Sequence, residues 1–311
     1  MRGTCLHRLA GVLLIVGSAF MSSFAARDAA AATIFVTSTQ QKISGSGGCS
    51  LQEAIWASRL HQSVAIVGYH NNNSYGYDST EYVATQCTAG TGDDVIVLPS
   101  KATLSMTCWI QDADNVMGPA ATPMITSRIT IQGYGATLQL GAPDPIQHAY
   151  WPCNITFDVL SLPVGMRLFS VNSGGHLELH DVRVTGFLAQ GGDGGYGGGG
   201  GGLGAGGAIY LQSGGLAVFN STFDNNGAVG GNGGDKSGGD TPGGAGGGGL
   251  GGSGGGVDLY LQNGAGQYVG GGSGGGGSRG WGSGFANGGG GGTVFDAPYG
   301  EGAFECGGNG G

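Results

Sequence analysis

The sequence predicts an all-β chain folded as a parallel β-helix, a solenoid with a short N-terminal capping helix and glycine-rich loop inserts. Three observations predict it. Short β-branched or aliphatic runs recur from Ile34 onward; three stretches repeat one another with their strands in the same order; and 56 of the chain's 74 glycines fall after Gln190. Short strands between tight glycine turns cannot each bury a core, so they gain stability by stacking on like neighbours. An antiparallel sandwich or barrel is the alternative all-β architecture. It does not account for strands that recur in one order after long inserts.

The N-terminus has its own logic. Arg2, His7 and Arg8 precede an apolar run from Leu9 to Phe20, followed by small residues through Ala25, Ala26 and Ala29 to Ala32. That is the layout of a secretory signal peptide, assigned to 1–31 with cleavage near Ala31. An uncleaved anchor is the other reading, but the apolar run falls short of the roughly 20 residues a spanning helix needs, and Ser18, Ser22 and Ser23 interrupt it. No later segment is apolar enough to span a bilayer. The expected localisation is therefore secreted, extracellular or cell surface.

Removing 1–31 leaves 8 basic and 19 acidic side chains, a formal charge of −11. The remaining cations (Lys42, Arg59, Lys101, Arg128, Arg167, Arg183, Lys236 and Arg279) stand singly along the chain. Nucleic acid and anionic membranes require clustered Lys and Arg, so both are excluded as partners. The mature chain keeps five cysteines, Cys49, Cys87, Cys108, Cys153 and Cys306, none within four residues of another. This spacing matches no short zinc pattern, and disulfides are the default outside the cytosol. Locality favours Cys49 with Cys87 and Cys108 with Cys153, although four cysteines allow three connectivities. Cys306 is then left over.

In order, the strand-like runs are Ile34–Thr37, Val95–Leu98, Ile129–Ile131, Thr137–Leu140, Phe169–Val171, Leu177–Leu179 and Val182–Val184. One helix is expected after Ser50, which can cap it, with Glu53 completing a capping box and Leu51, Ala54, Ile55 and Ser58 on one face. The repeats are Phe169-Ser-Val-Asn-Ser-Gly-Gly, Ile209-Tyr-Leu-Gln-Ser-Gly-Gly and Leu259-Tyr-Leu-Gln-Asn-Gly. Leu177-Glu-Leu179 and Val182-Arg-Val184 follow the first, and Leu216-Ala-Val218 and Ser221-Thr-Phe223 follow the second, so each repeat reads as a rung of three strands. Leu177 and Leu216 are expected to point inward. The expected organisation is a cap with first rungs over 32–118, further rungs over 119–226, and a glycine-rich segment over 227–311 with a rung at 257–263. The glycine tracts are not collagen, since no G-X-Y period holds, and whether they are ordered stays open.

Certain residues also carry a family likeness. Gly48-Cys49-Ser50-Leu51-Gln52-Glu53-Ala54-Ile55 resembles the CSLREAI motif of secreted bacterial right-handed β-helix proteins, with Gln52 where Arg is usual. Gly92 to Pro99, Ile125 to Gly133, Leu168 to Gly186 and Gly206 to Ile209 resemble segments that follow it in such proteins. The resemblance implies a right-handed β-helix whose capping helix carries the motif and is stapled by a later cysteine, here Cys87. It implies little about activity, because that fold hosts adhesins, surface proteins and carbohydrate-active enzymes alike.

No catalytic, metal or cofactor set emerges. Asp93 and Asp94 are adjacent in an extended run and point to opposite sides, whereas acid and base carboxylates must flank one bond. Asp193, Asp235 and Asp240 lack the apolar residue two places on that a calcium nonapeptide needs. No Gly-x-Ser-x-Gly elbow lies between a strand and a helix. His176, Glu178 and His180 alternate with Leu177 and Leu179 and so share one face, with Arg183 beyond them. Strand neighbours two residues apart lie roughly 7 Å from each other, a spacing suited to successive sugar units, although a solvated face is the plainer reading. Asp181 with Arg183 would mimic a lyase site, but the equivalent positions of the next repeat are Ala217, Asn220 and Thr222. Tyr69, Tyr75, Tyr77 and Tyr82 with Asn71–Asn73 form an aromatic polar insert, more often packing than binding. The function expected is a non-enzymatic structural or adhesive β-helix protein at or beyond the cell surface, with an extracellular glycan or surface component as partner. A polysaccharide lyase or glycoside hydrolase is the rival.

Overall fold

The computed structural model describes residues 31–70, 79–110, 112, 115, 118–141, 165–192, 200–233, 281–282 and 299–300. In chain order these form β1 (Thr33–Phe35), α1 (Leu51–Leu60), β2 (Val64–His70), β3 (Ser79–Ala84), β4 (Asp93–Val97), β5 (Thr103–Met106), β6 (Arg128–Leu140) and β7 (Phe169–Val171). There follow β8 (His176–Thr185), β9 (Leu188–Gln190), β10 (Ile209–Leu211), β11 (Gly215–Phe219), β12 (Thr222–Asp224), β13 (Gly227–Val229), β14 (Trp281–Gly282) and β15 (Tyr299–Gly300).

Alternating apolar residues decide which side of each strand is buried. Ile34, Ile96, Ile131 and Leu179 are direct register partners on β1, β4, β6 and β8, and each is fully buried. Ile129 with Leu177, and Leu138 with Val184, extend that inner face. Burying each such side chain contributes roughly 1.5–3 kcal/mol, so these columns hold the sheet. The sheet has seven strands in the order β1-β4-β6-β8-β11, with β5 paired to β6 and β12 to β8, and every pairing in it is parallel. The β7–β10, β9–β13 and β14–β15 pairs form separate two-stranded parallel sheets, and β2–β3 is an antiparallel hairpin.

The helix forms for the local reason its sequence gives. The Ser50 hydroxyl accepts from the Glu53 amide at 3.1 Å, and the Glu53 carboxylate accepts from the Ser50 amide at 2.9 Å. Leu51 to Ser58 are all buried. One side of α1 joins the main core, while Trp56 packs with Ala65 and Ile66 of the hairpin. His61 ends the helix in the left-handed conformation. A disulfide joins Cys49, just before the helix, to Cys87, just after the hairpin. Cys108 is also disulfide-bonded, while Cys153 and Cys306 lie outside the described residues. Replacing Ser50 with alanine should cost about 1 kcal/mol through loss of the cap, read as a lowered urea midpoint. An unchanged midpoint would count against the cap's contribution.

The regular right-handed parallel β-helix is not what forms, and with it goes the likeness to CSLREAI-type solenoid proteins. A triangular solenoid sends the strands of a rung to separate continuous faces. Here the two runs Ile129–Ile131 and Thr137–Leu140 are halves of one thirteen-residue strand. Leu177–Leu179 and Val182–Val184 are likewise joined in β8, so both halves enter the same seven-stranded sheet. The residues between them shift the register without carrying the chain to another face. The other strand pairings form small two-stranded sheets, one of them antiparallel, with isolated parallel bridges at Ala120–Arg167 and Ile125–Val171. The result is a mixed α/β domain with, among the described residues, one short helix and extensive packing between residues distant in sequence.

The aligned repeats nevertheless lie side by side: Ile209 pairs with Phe169, Leu216 with Leu177 and Thr222 with Arg183. Leu216 is not buried as expected; it is exposed, on β11, the last strand of the sheet's path among the described residues. The rung expected at 257–263 lies outside the described residues.

Candidate functional site

Four of the residues with left-handed backbone at breaks within or between strands are Lys101, Tyr134, Asp181 and Asn220, with φ of 56°, 48°, 52° and 44°. They are neighbours across the sheet. The Lys101 amide donates to the Tyr134 carbonyl at 3.2 Å, and the Asn220 side-chain amide donates to the Asp181 carboxylate. Asp and Asn tolerate this conformation, but for a bulky residue such as Tyr134 it is a genuine outlier. Gly133 makes the approach possible. A Cβ there would lie 2.2 Å from the Val182 Cγ1 and 2.6 Å from the Asp181 carbonyl oxygen.

These corners border a shallow groove of about 460 Å³ lined by Ser100, Tyr134, Gly135, Asp181, Val182, Arg183, Asn220 and Thr222. The Tyr134 ring is more than half exposed, at 54%. The Ser100 hydroxyl donates to the Tyr134 carbonyl at 3.2 Å. Arg183 donates from Nε and Nη2 to the two oxygens of Asp224, at 3.0 and 2.6 Å, and the Thr185 hydroxyl adds a third bond at 3.2 Å. The Arg183 hydrogen bond holds the Asp224 carboxyl below its usual range, and the same contact raises the guanidinium. Arg183 is thus fixed and charged where it reaches the groove.

The residues singled out in the sequence divide between two places. His176, Glu178 and His180 do share the outward face of β8, paired with Gly215, Ala217 and Phe219 of β11. Glu178 and His180 are engaged with each other. His180 Nε2 lies 2.5 Å from Glu178 Oε1, and its ring stacks on Phe219 with centroids 4.6 Å apart. His176 packs so closely on Gly215 that a Cβ there would lie 2.1 Å from its Nδ1. Arg183 instead belongs to the groove. Asp93 is exposed beside Arg128 at 3.6 Å, whereas Asp94 is buried. Tyr82 is exposed on the hairpin, Tyr69 lies on β2, and 71–78 fall outside the described residues.

Sequence reasoning missed Tyr134 and Ser100 altogether. The available signal was Gly133-Tyr134-Gly135, an aromatic between two glycines at the break of a long apolar alternation. Among the described residues no group of three His, Cys, Asp or Glu could hold a metal ion, and no helix is long and apolar enough to cross a membrane. Arg167 is buried beneath the Tyr210 ring, 5.2 Å from its centroid, and burial pushes its guanidinium down to about 10, so it stays a cation at neutral pH. Comparison with protein families, characterised proteins and solved structures finds no match. The structural or adhesive role, which depended on a regular solenoid, loses its basis with that architecture.

Proposed function

We propose that the chain is exported to an oxidising compartment and that the Tyr134 groove binds an uncharged saccharide. The observation that carries the binding reading is Tyr134 itself. An exposed aromatic ring is held in a costly backbone conformation at the lip of a groove that also presents the polar side chains of Ser100, Asp181, Arg183, Asn220 and Thr222. Strain of that kind is of order 1–3 kcal/mol and persists where the surroundings over-determine it, most often at functional positions.

The groove's chemistry suits a sugar ring. The C–H face of a pyranose can lie on the tyrosine ring, while Asp181, Asn220, Arg183 and Thr222 offer donors and acceptors to adjacent hydroxyls. Asp224 is paired with the Arg183 guanidinium and Asp181 adds a further carboxylate to the lining, so the local charge does not favour an anionic polymer. The chain's formal charge of −9 points the same way. Export is supported by the Cys49–Cys87 disulfide and by the N-terminal charge and apolar pattern.

The test is a screen of neutral and acidic glycans followed by calorimetric titration of the tightest neutral one. Tyr134→Gly should weaken binding about tenfold, the loss of roughly 1.5 kcal/mol of stacking. The same variant should be more stable than the parent by about 1 kcal/mol, because glycine accepts the left-handed backbone without strain. Absence of binding to any neutral glycan, or unchanged affinity in Tyr134→Gly, would refute the reading.

A further inference from the structure

Asp94 is a buried carboxylate, 1% exposed, whose hydrogen-bond partners among the described residues are all neutral. Oδ2 accepts from the Ser58 hydroxyl at 2.6 Å and the Gly92 amide at 3.3 Å, and Oδ1 from the Thr91 amide at 2.8 Å and hydroxyl at 3.0 Å. Buried charges are ordinarily paired, so a carboxylate held this way is short of a cation. The remaining donor to Oδ1 is the backbone nitrogen of Ala32, at 3.2 Å, which also lies 3.0 Å from Thr91 Oγ1. The Ala32 carbonyl in turn accepts from Val95 at 2.8 Å. Both ends of Ala32 are therefore fixed, while Ala31 before it is exposed and preceded by Ala29 and Ala30.

We infer that the Ala31–Ala32 peptide bond is a processing site, and that its hydrolysis delivers the Ala32 α-ammonium to the Asp94 carboxylate as a buried ion pair. Water supplies the oxygen that turns the Ala31 carbonyl into a carboxylate, and the released Ala32 nitrogen gains protons to become an ammonium with three donors. The nitrogen need not move far, because the uncut amide already points at Asp94 and Thr91. Cleavage thus converts a neutral hydrogen bond into a charge-assisted one and supplies the missing cation. The inference rests on the export part of the reading above and not on the groove.

Few other charges face this pair. Asp93 and Arg128 lie beside it on the outer face, paired with each other at 3.6 Å and both more than half exposed. The His61 ring at the end of α1 lies against Gly92, and Ser58 and Ser127 are neutral. Burial raises the Asp94 carboxyl, but hydrogen bonds from Ser58, Thr91 and Gly92 outweigh it and hold it below the usual range. An α-ammonium ordinarily titrates at about 7.7–8.0. Paired with Asp94 it should titrate higher. Its contribution to stability is then complete below about pH 8 and disappears as pH rises through the raised value.

The experiment uses the protein as exported by its producing cell. Intact mass should place the N-terminus at Ala32, and NMR titration should find the α-ammonium at least one pH unit above the ordinary range. Asp94→Asn should return that titration to the ordinary range. If that variant does not fold, the exported protein with its α-amine acetylated should lose the drop in unfolding midpoint between pH 8 and 10.5 that the free amine shows. An N-terminus elsewhere would overturn the processing site. An α-amine at Ala32 that titrates ordinarily would overturn the ion pair while leaving export intact.

Discussion

Replacing Cys49 with alanine lowers the unfolding free energy by about 2–5 kcal/mol, the range seen when a native disulfide is removed from a small secreted domain. The bond spans 38 residues of sequence, enclosing α1 and the β2–β3 hairpin. Opening it returns conformational freedom to that whole loop in the unfolded chain, which the chain-entropy model values at roughly 4 kcal/mol. The native side compounds the loss. Cys49 is buried immediately before the helix cap, so the alanine variant leaves a space next to Ser50. Urea unfolding of the two proteins under oxidising conditions reads the difference, and coincident midpoints would contradict it.

Lys42→Met should cost about 3–5 kcal/mol, for a different reason. The Glu53 side chain is fully buried, and its carboxylate accepts from Lys42 Nζ at 2.9 and 2.8 Å, the Ser44 amide at 2.7 Å and the Ser50 amide at 2.9 Å. Removing the lysine strands a charge that water cannot reach. The double variant Lys42→Met with Glu53→Gln removes that charge and should recover part of the loss. A single variant that melts with the parent, or a double variant no better than the single, would show that the lysine is not what compensates Glu53. The same carboxylate closes the capping box, so one buried residue starts the helix and ties it to the preceding loop.

Local features of the fold were legible in the sequence because local physics produces them. Ser50 and Glu53 mark the helix start since their side chains satisfy each other's backbone within one turn. The repeats beginning at Phe169 and Ile209 were readable because register partners in a parallel ladder face the same environment. What the sequence did not disclose was how the strands are distributed among sheets. Gly133-Tyr134-Gly135 reads as a turn that ends a strand, yet the chain resumes in the same sheet with only a register shift. Residues 64–70 and 79–84 were not anticipated as strands at all, since their pairing depends on the helix face and Trp56 that cover them. The groove was hidden for a related reason. Its members come from positions 100, 134, 181 and 220, within or between strands far apart in sequence, and are brought together only where the left-handed corners line up across the sheet. The stripe at His176, Glu178 and His180 was visible because it lies within one strand. Its mutual contacts were not visible, because Phe219 belongs to another.

The most direct test of the account is an NMR titration of the protein with the tightest-binding neutral oligosaccharide, following amide shifts along β6, β8 and β11. Shifts concentrated at Tyr134, Asp181, Arg183 and Asn220, and lost in Tyr134→Gly, are the predicted result. Shifts confined to His176, Glu178 and His180, or none at all, would contradict the assignment of the Tyr134 groove as the binding site.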